Sequence, residues 1–373
     1  AASWDVSTRP FPWPPHSPRD LLTLARALRP QTLRAAPHLF RTVAGLVPPA
    51  ADPLFRAFLD AQLLISAQTT AAHANALYGS AALDLPRRGV NHVRGGIGAL
   101  AVTLVDWIRR HGGEVRYRQT VERIAPLRGG RLAVYTQKGL HLEADRVLAN
   151  VTPWALAELL GADAPRGLRR EVRQRPPTWG AFTLYLGLDA ARLPPLPAAH
   201  HQVIVDAAQP LGEGNSVFIS LSDPGDAARG PAGTRTATLS THTAVSPWWQ
   251  LRHHDAAAYA ARRDAYTERL LAAAETAVPG LRNAVTLCLP GTPVTFESYT
   301  RRPQGMVGGF AQTSLFAARG PRTGVPNLWL VGDSIFPGQS TAGVTLGALR
   351  VAADVLHSTP RRTHVLKKRP LPT

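Results

Sequence analysis

Apolar residues at Leu21, Leu22, Leu24, Ala25 and Leu28 recur at the spacing that lines one face of a helix. Ser17 is placed to cap that helix, and Pro18 fits its first turn. Pro30 and Pro37 break the following run into short helices that end near Val47. The stretches "PLFRAFLDAQLLISAQ" and "IGALAVTLVDWIRRHGG" predict two more helices, the second amphipathic and closed by Gly112–Gly113. From Glu114 to Pro153 the pattern shortens into strands with turns at "RGG" and "QKG" and a last apolar strand, "RVLAN". From Trp179 the pattern is strand-rich, in "WGAFTLYLGLD", "HQVIVD", "NSVFISLSD" and "RTATLSTHT". A helix over roughly 255–277 follows, then two expected strands, "AVTLCLP" and "PVTFESYT". A glycine-rich segment, "RRPQGMVGGFAQT", leads to the closing "LWLVGDSIFPGQSTAGV". Residues 1–17 are rich in proline and aromatics and read as extended.

Length changes this picture from a string of elements to a domain arrangement. The 373 residues predict two domains or one interleaved pair. With 45% hydrophobic and 18% charged residues the chain is globular. Its single cysteine, Cys288, sits in an apolar run and reads as a core thiol, and the scarcity of cysteine leans to a reducing interior. Thirteen histidines fall in no HExxH or CxxC-like spacing, so no metal site is expected. No signal peptide or membrane-spanning helix is expected; the uncharged stretch from Ala61 to Leu83 carries too many polar residues to face lipid.

The net charge of +17 points to an anionic membrane surface or to nucleic acid. Arginine is spread along the chain, and the one dense run, Arg361–Pro370, lies in a tail (residues 358–373) that reads as flexible. No nucleic-acid-binding signature accompanies it, which favours the membrane surface and argues against specific nucleic-acid binding. The Leu21–Leu28 stripe, edged by Arg26 and Arg29, suits either a membrane surface or the protein's own core.

Leu328–Val331 reads as a parallel strand buried on both faces, and Gly332 permits a tight turn at its carboxyl end, where ligands bind in open α/β sheets. Asp333 at the strand tip is placed to accept hydrogen bonds from sugar or polyol hydroxyls. Ser340 or Thr341 can cap the helix that follows, and Ala342, Gly343 and Gly347 let a flat ring approach its first turns. A flavin meets all of these requirements: ribityl hydroxyls on the aspartate, a pyrimidine carbonyl at the helix N-terminus. "RGGIG" at Arg94–Gly98 lacks GxGxxG spacing and reads as a turn into a helix, and Val121 lies where a strand backbone can meet an adenine edge.

These pieces, with "FRAFLDAQLLISAQ", "ALDLPRRGVNHVRGGIGAL", "GAFTLYLGLD", "LSTHT" and "GTPVTFESYTRRPQGMVGGFAQT", resemble the carotenoid desaturase branch of the flavin-dependent amine-oxidase-like family. The similarity runs from about Leu54 to Leu356 and is closest to carotenoid 3,4-desaturases of acyclic, hydroxylated carotenoids. The resemblance implies an α/β fold: a Rossmann-like FAD domain interleaved with a sheet-plus-helix (α+β) substrate domain. Its segments are expected at 1–90 (helical, membrane- or substrate-facing), 91–152 and 301–357 (FAD domain) and 153–300 (substrate domain). It implies FAD as cofactor, held by Val121, Gly332, Asp333, Ser334, Thr341, Ala342, Gly343 and Val344.

The resemblance also implies a hydrophobic carotenoid substrate in an apolar tunnel. Phe58, Leu64, Tyr185 and Trp248 are candidate lining residues, with Phe55, Leu63, Ile65, Phe182 and Trp249, and Arg301 and Arg302 are candidates to face the active site. No side chain is identified as a catalytic base. A bilayer-borne substrate predicts a cytoplasmic protein bound peripherally to the membrane. The family's strand–GxGxxG–helix unit is absent, so the FAD domain is expected to be incomplete at its N-terminus. Phytoene desaturase, carotenoid isomerase and ketolase are alternatives within the fold, and a non-catalytic carotenoid- or membrane-binding remnant is the alternative of another class.

Overall fold

The computed structural model describes residues 12–89, 91–177 and 179–358. The expectations for residues 1–11 and for the basic run 361–370 lie outside the described residues.

Helices build the first part: α1 (Pro18–Ala27), α2 (Pro53–Ala67) and α3 (Ala76–Asp84). Their starts follow local chemistry, with Ser17, Asp52 and Asn75 side chains accepting first-turn amides. Leu63, Ala67, Ala71, Ala74 and Val43 form a small core there. α1 buries none of its residues, and Leu21, Leu22, Leu28 and Phe40 face solvent in and beyond it. α4 (Gly98–Arg110) also buries none; Val102, Leu104 and Trp107 are exposed. Its apolar face has no covering element among the described residues.

β1 (Val121–Pro126), β2 (Leu132–Thr136) and β3 (His141–Ala144) form an antiparallel meander. β4 (Val147–Ala149) follows, then α5 (Pro153–Leu160) and α6 (Arg166–Gln174). β5 (Trp179–Asp189), β6 (His200–Ile204), β7 (Ser216–Leu221), β8 (Thr234–Ala244) and β9 (Val285–Gly291) make one antiparallel sheet, in the order β6-β7-β8-β5-β9. The period-two alternation of these strands sends Phe182, Leu184, Leu186, Ile219 and Leu239 to one face. There they pack with Trp248 from α7 (Val245–His254) and Leu270 from α8 (Ala256–Ala277). Cys288 is half-buried against this core, and burial pushes its thiol up.

Residues 293–300, expected as a strand, are a helix, α9 (Pro293–Thr300). Thr292 and Thr295 form a reciprocal capping box with Pro293 in the first turn, and these start signals override the β-branched pattern. β10 (Leu328–Leu330) pairs in parallel with β4, and α10 (Thr341–His357) follows. Leu156, Leu160 and Leu168 of α5 and α6 share a core with Ile124, Leu132, Ala149 and Leu328–Leu330. The boundary expected between 152 and 153 is therefore corrected: α5 and α6 pack with the parallel strands, not with the large sheet. Among the described residues no helix is long and apolar enough to cross a membrane, and no His/Cys/Asp/Glu group is arranged to hold a metal ion.

Candidate functional site

All three residues of β10 are buried, as a strand covered on both faces requires. Beyond it Gly332 has φ +111°, and a side chain there would overlap the Asn150 amide oxygen. Glycine is thus required by backbone and space together. Asp333 follows at the strand tip. Its Oδ2 accepts from Arg302 Nη2 at 2.8 Å and its Oδ1 from Ser334 Oγ at 3.2 Å. The Arg302 and Asp333 side chains are 25% and 26% exposed. Ser334 is buried. Ser340 caps α10 by accepting from the Gly343 amide at 2.9 Å. Thr341 and Ala342 are exposed at the first turn, and Val344 is half-buried. Gly343 and Gly347 are buried; the space a Cβ would take at Gly343 is filled by Gly338 and Ser340, and Ile335 sits at 3.5 Å from that of Gly347. Their small size therefore serves the packing of the 335–340 loop on α10, and the surface open to a ligand is the Thr341–Ala342 turn.

The glycine segment 305–309 runs past Asp333, Ser334 and Gln339. Gly305 (φ +68°) lies so close to Pro293 that a Cβ would overlap that carbonyl, and Gly309 lies against the Asp333–Ser334 backbone. The Val307 amide donates to Trp179 O at 3.1 Å, and the Gln312 amide to Ala67 O at 2.9 Å. The segment therefore ties the start of β5 and the end of α2 to the strand tip. Beside it lies a cavity of about 280 Å³ lined by Gln68, Trp154, Arg175, Trp179, Met306 and Phe310, among others. Trp154 meets Phe310 edge-on at 4.7 Å, and the Arg175 guanidinium stands 4.7 Å over the same ring. No acid or histidine lines it.

The face of the large sheet away from its core carries a different surface. One cross-strand row reads Leu289, Tyr185, Thr238, Ser220 and His200. Tyr185, Leu287 and Leu289 are exposed, at 46%, 52% and 52%. Along β8 the residues of this face are Thr236, Thr238, Ser240 and His242. Small hydroxylated side chains on β7 and β8 thus form a floor on this face, with apolar side chains beside it on β5 and β9. The floor runs toward Trp179, whose ring is 6.2 Å from His242, and so toward the glycine segment. Burial pushes His242 down to about 4, which keeps its imidazole neutral at ordinary pH.

The remaining sequence candidates separate. Phe58 on α2 is exposed at 45%, while Leu64 is buried. Trp248 is fully buried on the core face, stacked on Phe182 at 5.6 Å and donating to Thr243 Oγ1 at 2.9 Å. It stands in the core on the opposite side of the sheet from Tyr185, which corrects its assignment as a substrate residue. Arg301 is exposed at the end of α9 in a left-handed conformation (φ +57°); its neighbour Arg302 is the one that reaches Asp333. Val121 opens β1, half-buried against the core shared with β10. Sequence reasoning missed Trp154 and Arg175, which belong to no quoted motif, and gave no role to Phe310 and Gln68, which lie within quoted stretches; the four meet only through the fold.

A family model described as flavin containing amine oxidoreductase matches residues 18–356. The chain belongs to the flavin-containing amine oxidoreductases. Prolycopene isomerase of Arabidopsis thaliana is 27% identical over 318 residues, covering 82% of this chain and 53% of that protein. Phytoene desaturase (neurosporene-forming) of Cereibacter sphaeroides is 26% identical, covering 73% and 55%. Hydroxyneurosporene desaturase of the same organism is 27% identical, covering 72% and 54%. The chain spans about half the length of these curated relatives. Among solved structures, an engineered putrescine oxidase shares the fold at TM-score 0.60 and 13% identity, covering 96% of this chain and 73% of that one. An oxidoreductase from Methanosarcina mazei does so at 0.58 and 17%, covering 91% and 73%.

The family is one of flavin-containing oxidoreductases, with FAD as its cofactor, and the residues around Asp333 and the start of α10 are compatible with the ribityl–pyrimidine half of a flavin. Asp333 is partly exposed with acceptor capacity left, since two of about four lone-pair positions are used. The exposed first turn of α10 presents amides and a positive dipole end. The buried Gln339 Oε1, beside the glycine segment, has no hydrogen-bond partner among the described residues.

Proposed function

We propose that this chain forms the substrate-binding and C-terminal flavin-binding parts of a carotenoid-modifying flavoenzyme, and that its reaction is C-3,4 desaturation of an acyclic, hydroxylated carotenoid. The observation that carries this reading is the outer sheet face: exposed apolar side chains at Tyr185, Leu287 and Leu289 beside a hydroxylated floor that runs toward the glycine segment at Asp333. A long polyene lies on such apolar side chains, and the Thr/Ser floor suits a polar end group. When bound, the flavin supplies a two-electron acceptor for hydride from an allylic carbon. The chain's own residues hold the cofactor at Asp333 and α10 and keep bulk water away with Trp154, Met306 and Phe310. The hydroxyneurosporene desaturase relative supports the hydroxylated substrate class.

Isomerisation is the second reading, favoured by the prolycopene isomerase relatives. Electron count separates the two, because desaturation removes two hydrogens and isomerisation none. We read the uncovered apolar face of α4 as the surface on which a strand–GxGxxG–helix unit packs. Expression of the chain joined to such a unit, in cells that accumulate acyclic hydroxylated carotenoids, is expected to give a longer-wavelength product lacking two hydrogens. A product of unchanged mass and altered double-bond geometry would sink desaturation in favour of isomerisation.

We also propose peripheral attachment to an anionic membrane. Leu21, Leu22, Leu28 and Phe40 are exposed among Arg19, Arg26, Arg34 and Arg41. Such a surface combines apolar insertion with attraction to acidic headgroups. The protein is expected to sediment with phosphatidylglycerol-containing vesicles and to be released by salt. Leu21→Glu with Leu22→Glu should cut binding about tenfold or more. Equal sedimentation of the double variant would remove this surface from consideration.

A further inference from the structure

Arg302 carries an arrangement that the motif at Asp333 does not explain. One guanidinium nitrogen, Nη2, donates both to Asp333 Oδ2 and to the Gly308 carbonyl. These two acceptors belong to separate pieces of chain, the turn after β10 and the glycine segment. Between them the approach is close: a Cβ on Gly309 would come within 2.9 Å of Asp333 O. The backbone around Arg302 is set for the reach. Arg301 and Gln304 both take left-handed conformations, at φ +57° and +58°. The Arg302 amide donates to Thr300 Oγ1 at 3.3 Å, anchoring the residue to the end of α9. The Arg302 Nε is buried with no hydrogen-bond acceptor among the described residues, so this nitrogen gives up hydration in this position.

We propose that Arg302 is a positioning residue that clamps the Asp333 carboxylate to the glycine segment and so sets the flavin affinity of this chain. The proposal rests on the flavin reading of the site. Arg302 fixes the rotamer of Asp333 through a charge-assisted bond. Ser334 Oγ takes the other oxygen from the side of its own backbone. The unused lone pairs are then directed to the open side, where ribityl hydroxyls donate without displacing Arg302. Preorganisation of this kind raises affinity by lowering the ordering cost at binding.

Two measurements on the 373-residue chain test it. The first is hydrogen exchange without flavin, comparing wild type with Arg302→Ala and Arg302→Lys. The clamp predicts exchange about tenfold faster at 305–309 and 333–334 in Arg302→Ala, with partial restoration in Arg302→Lys. The second is riboflavin titration by fluorescence quenching, which reads the ribityl and ring contacts without the pyrophosphate. Affinity is expected to fall about tenfold in Arg302→Ala and by a similar factor in Asp333→Asn. The Arg302→Ala/Asp333→Asn double variant should be little worse than either single one, since both remove the same interaction.

Unchanged exchange in Arg302→Ala overturns the clamp. Faster exchange with equal or tighter riboflavin binding also overturns it, because Arg302 would then occlude the site rather than build it. Additive losses in the double variant overturn the claim that Arg302 acts through Asp333. Absence of riboflavin binding by the wild-type chain counts against the flavin reading instead, and the exchange comparison then decides the clamp by itself.

Discussion

Gly305→Ala is expected to destabilise the protein by about 2–4 kcal/mol and to abolish flavin binding. The positive φ of +68° accounts for about 1 kcal/mol of this. The rest comes from the added Cβ, which falls on the Pro293 carbonyl, a backbone atom in the first turn of α9 that has no rotamer to escape into. Either α9 or the glycine segment must move. Moving the segment breaks the Met306 bridge to Gly180, the Val307 bond to Trp179 O and the seat of Gly309 on Asp333. Gly139→Ala separates the two terms. Gly139 has φ +77° with nothing within 4 Å of its Cβ position, so only the backbone cost of about 1 kcal/mol applies. Urea unfolding and riboflavin titration of the two variants check this. A Gly305→Ala protein that matches Gly139→Ala in both would show that the close approach to Pro293 does not hold the segment in place.

Trp248→Ala is expected to cost about 3–5 kcal/mol of stability. The indole is fully buried, packs on Phe182 and Tyr266 at 5.6 and 5.1 Å, and lies under the Arg262 guanidinium at 5.0 Å. Its removal also leaves Thr243 Oγ1 without that donor. Tyr185→Ala, on the opposite face and half-exposed, should change stability by no more than about 0.5 kcal/mol while weakening carotenoid binding. Denaturation midpoints paired with pigment binding in detergent distinguish the two roles. A stable Trp248→Ala protein with impaired pigment binding would return Trp248 to the substrate wall and contradict the core placement.

The two tryptophan and tyrosine positions show where the sequence stops being sufficient. Both belong to apolar, aromatic stretches, and both were candidates for a tunnel. Composition says that such residues are buried, but not against what. The distinction came from strand parity and from which face α7 and α8 cover. Residues 293–300 show a different limit, because the β-branched pattern "PVTFESYT" outweighed a Thr-Pro start and a capping box that is just as local. The helix start is nonetheless legible in those residues, since capping is a short-range signal.

What the sequence determined by itself is local. Strand alternation, helix caps at Ser17 and Ser340, the left-handed glycine after β10 and the carboxylate at the strand tip all follow from a few neighbouring residues. The motif pattern was also enough to give the family. The tertiary structure alone decided the pairings across long separations. Arg302 and Asp333 are 31 positions apart, and Trp154 and Arg175 come from other elements to meet Phe310. It also decided that α1 and α4, both amphipathic by pattern, bury none of their residues. The physical reason is that periodicity fixes which side chains share a face, whereas burial depends on a second surface elsewhere in the chain arriving to cover it.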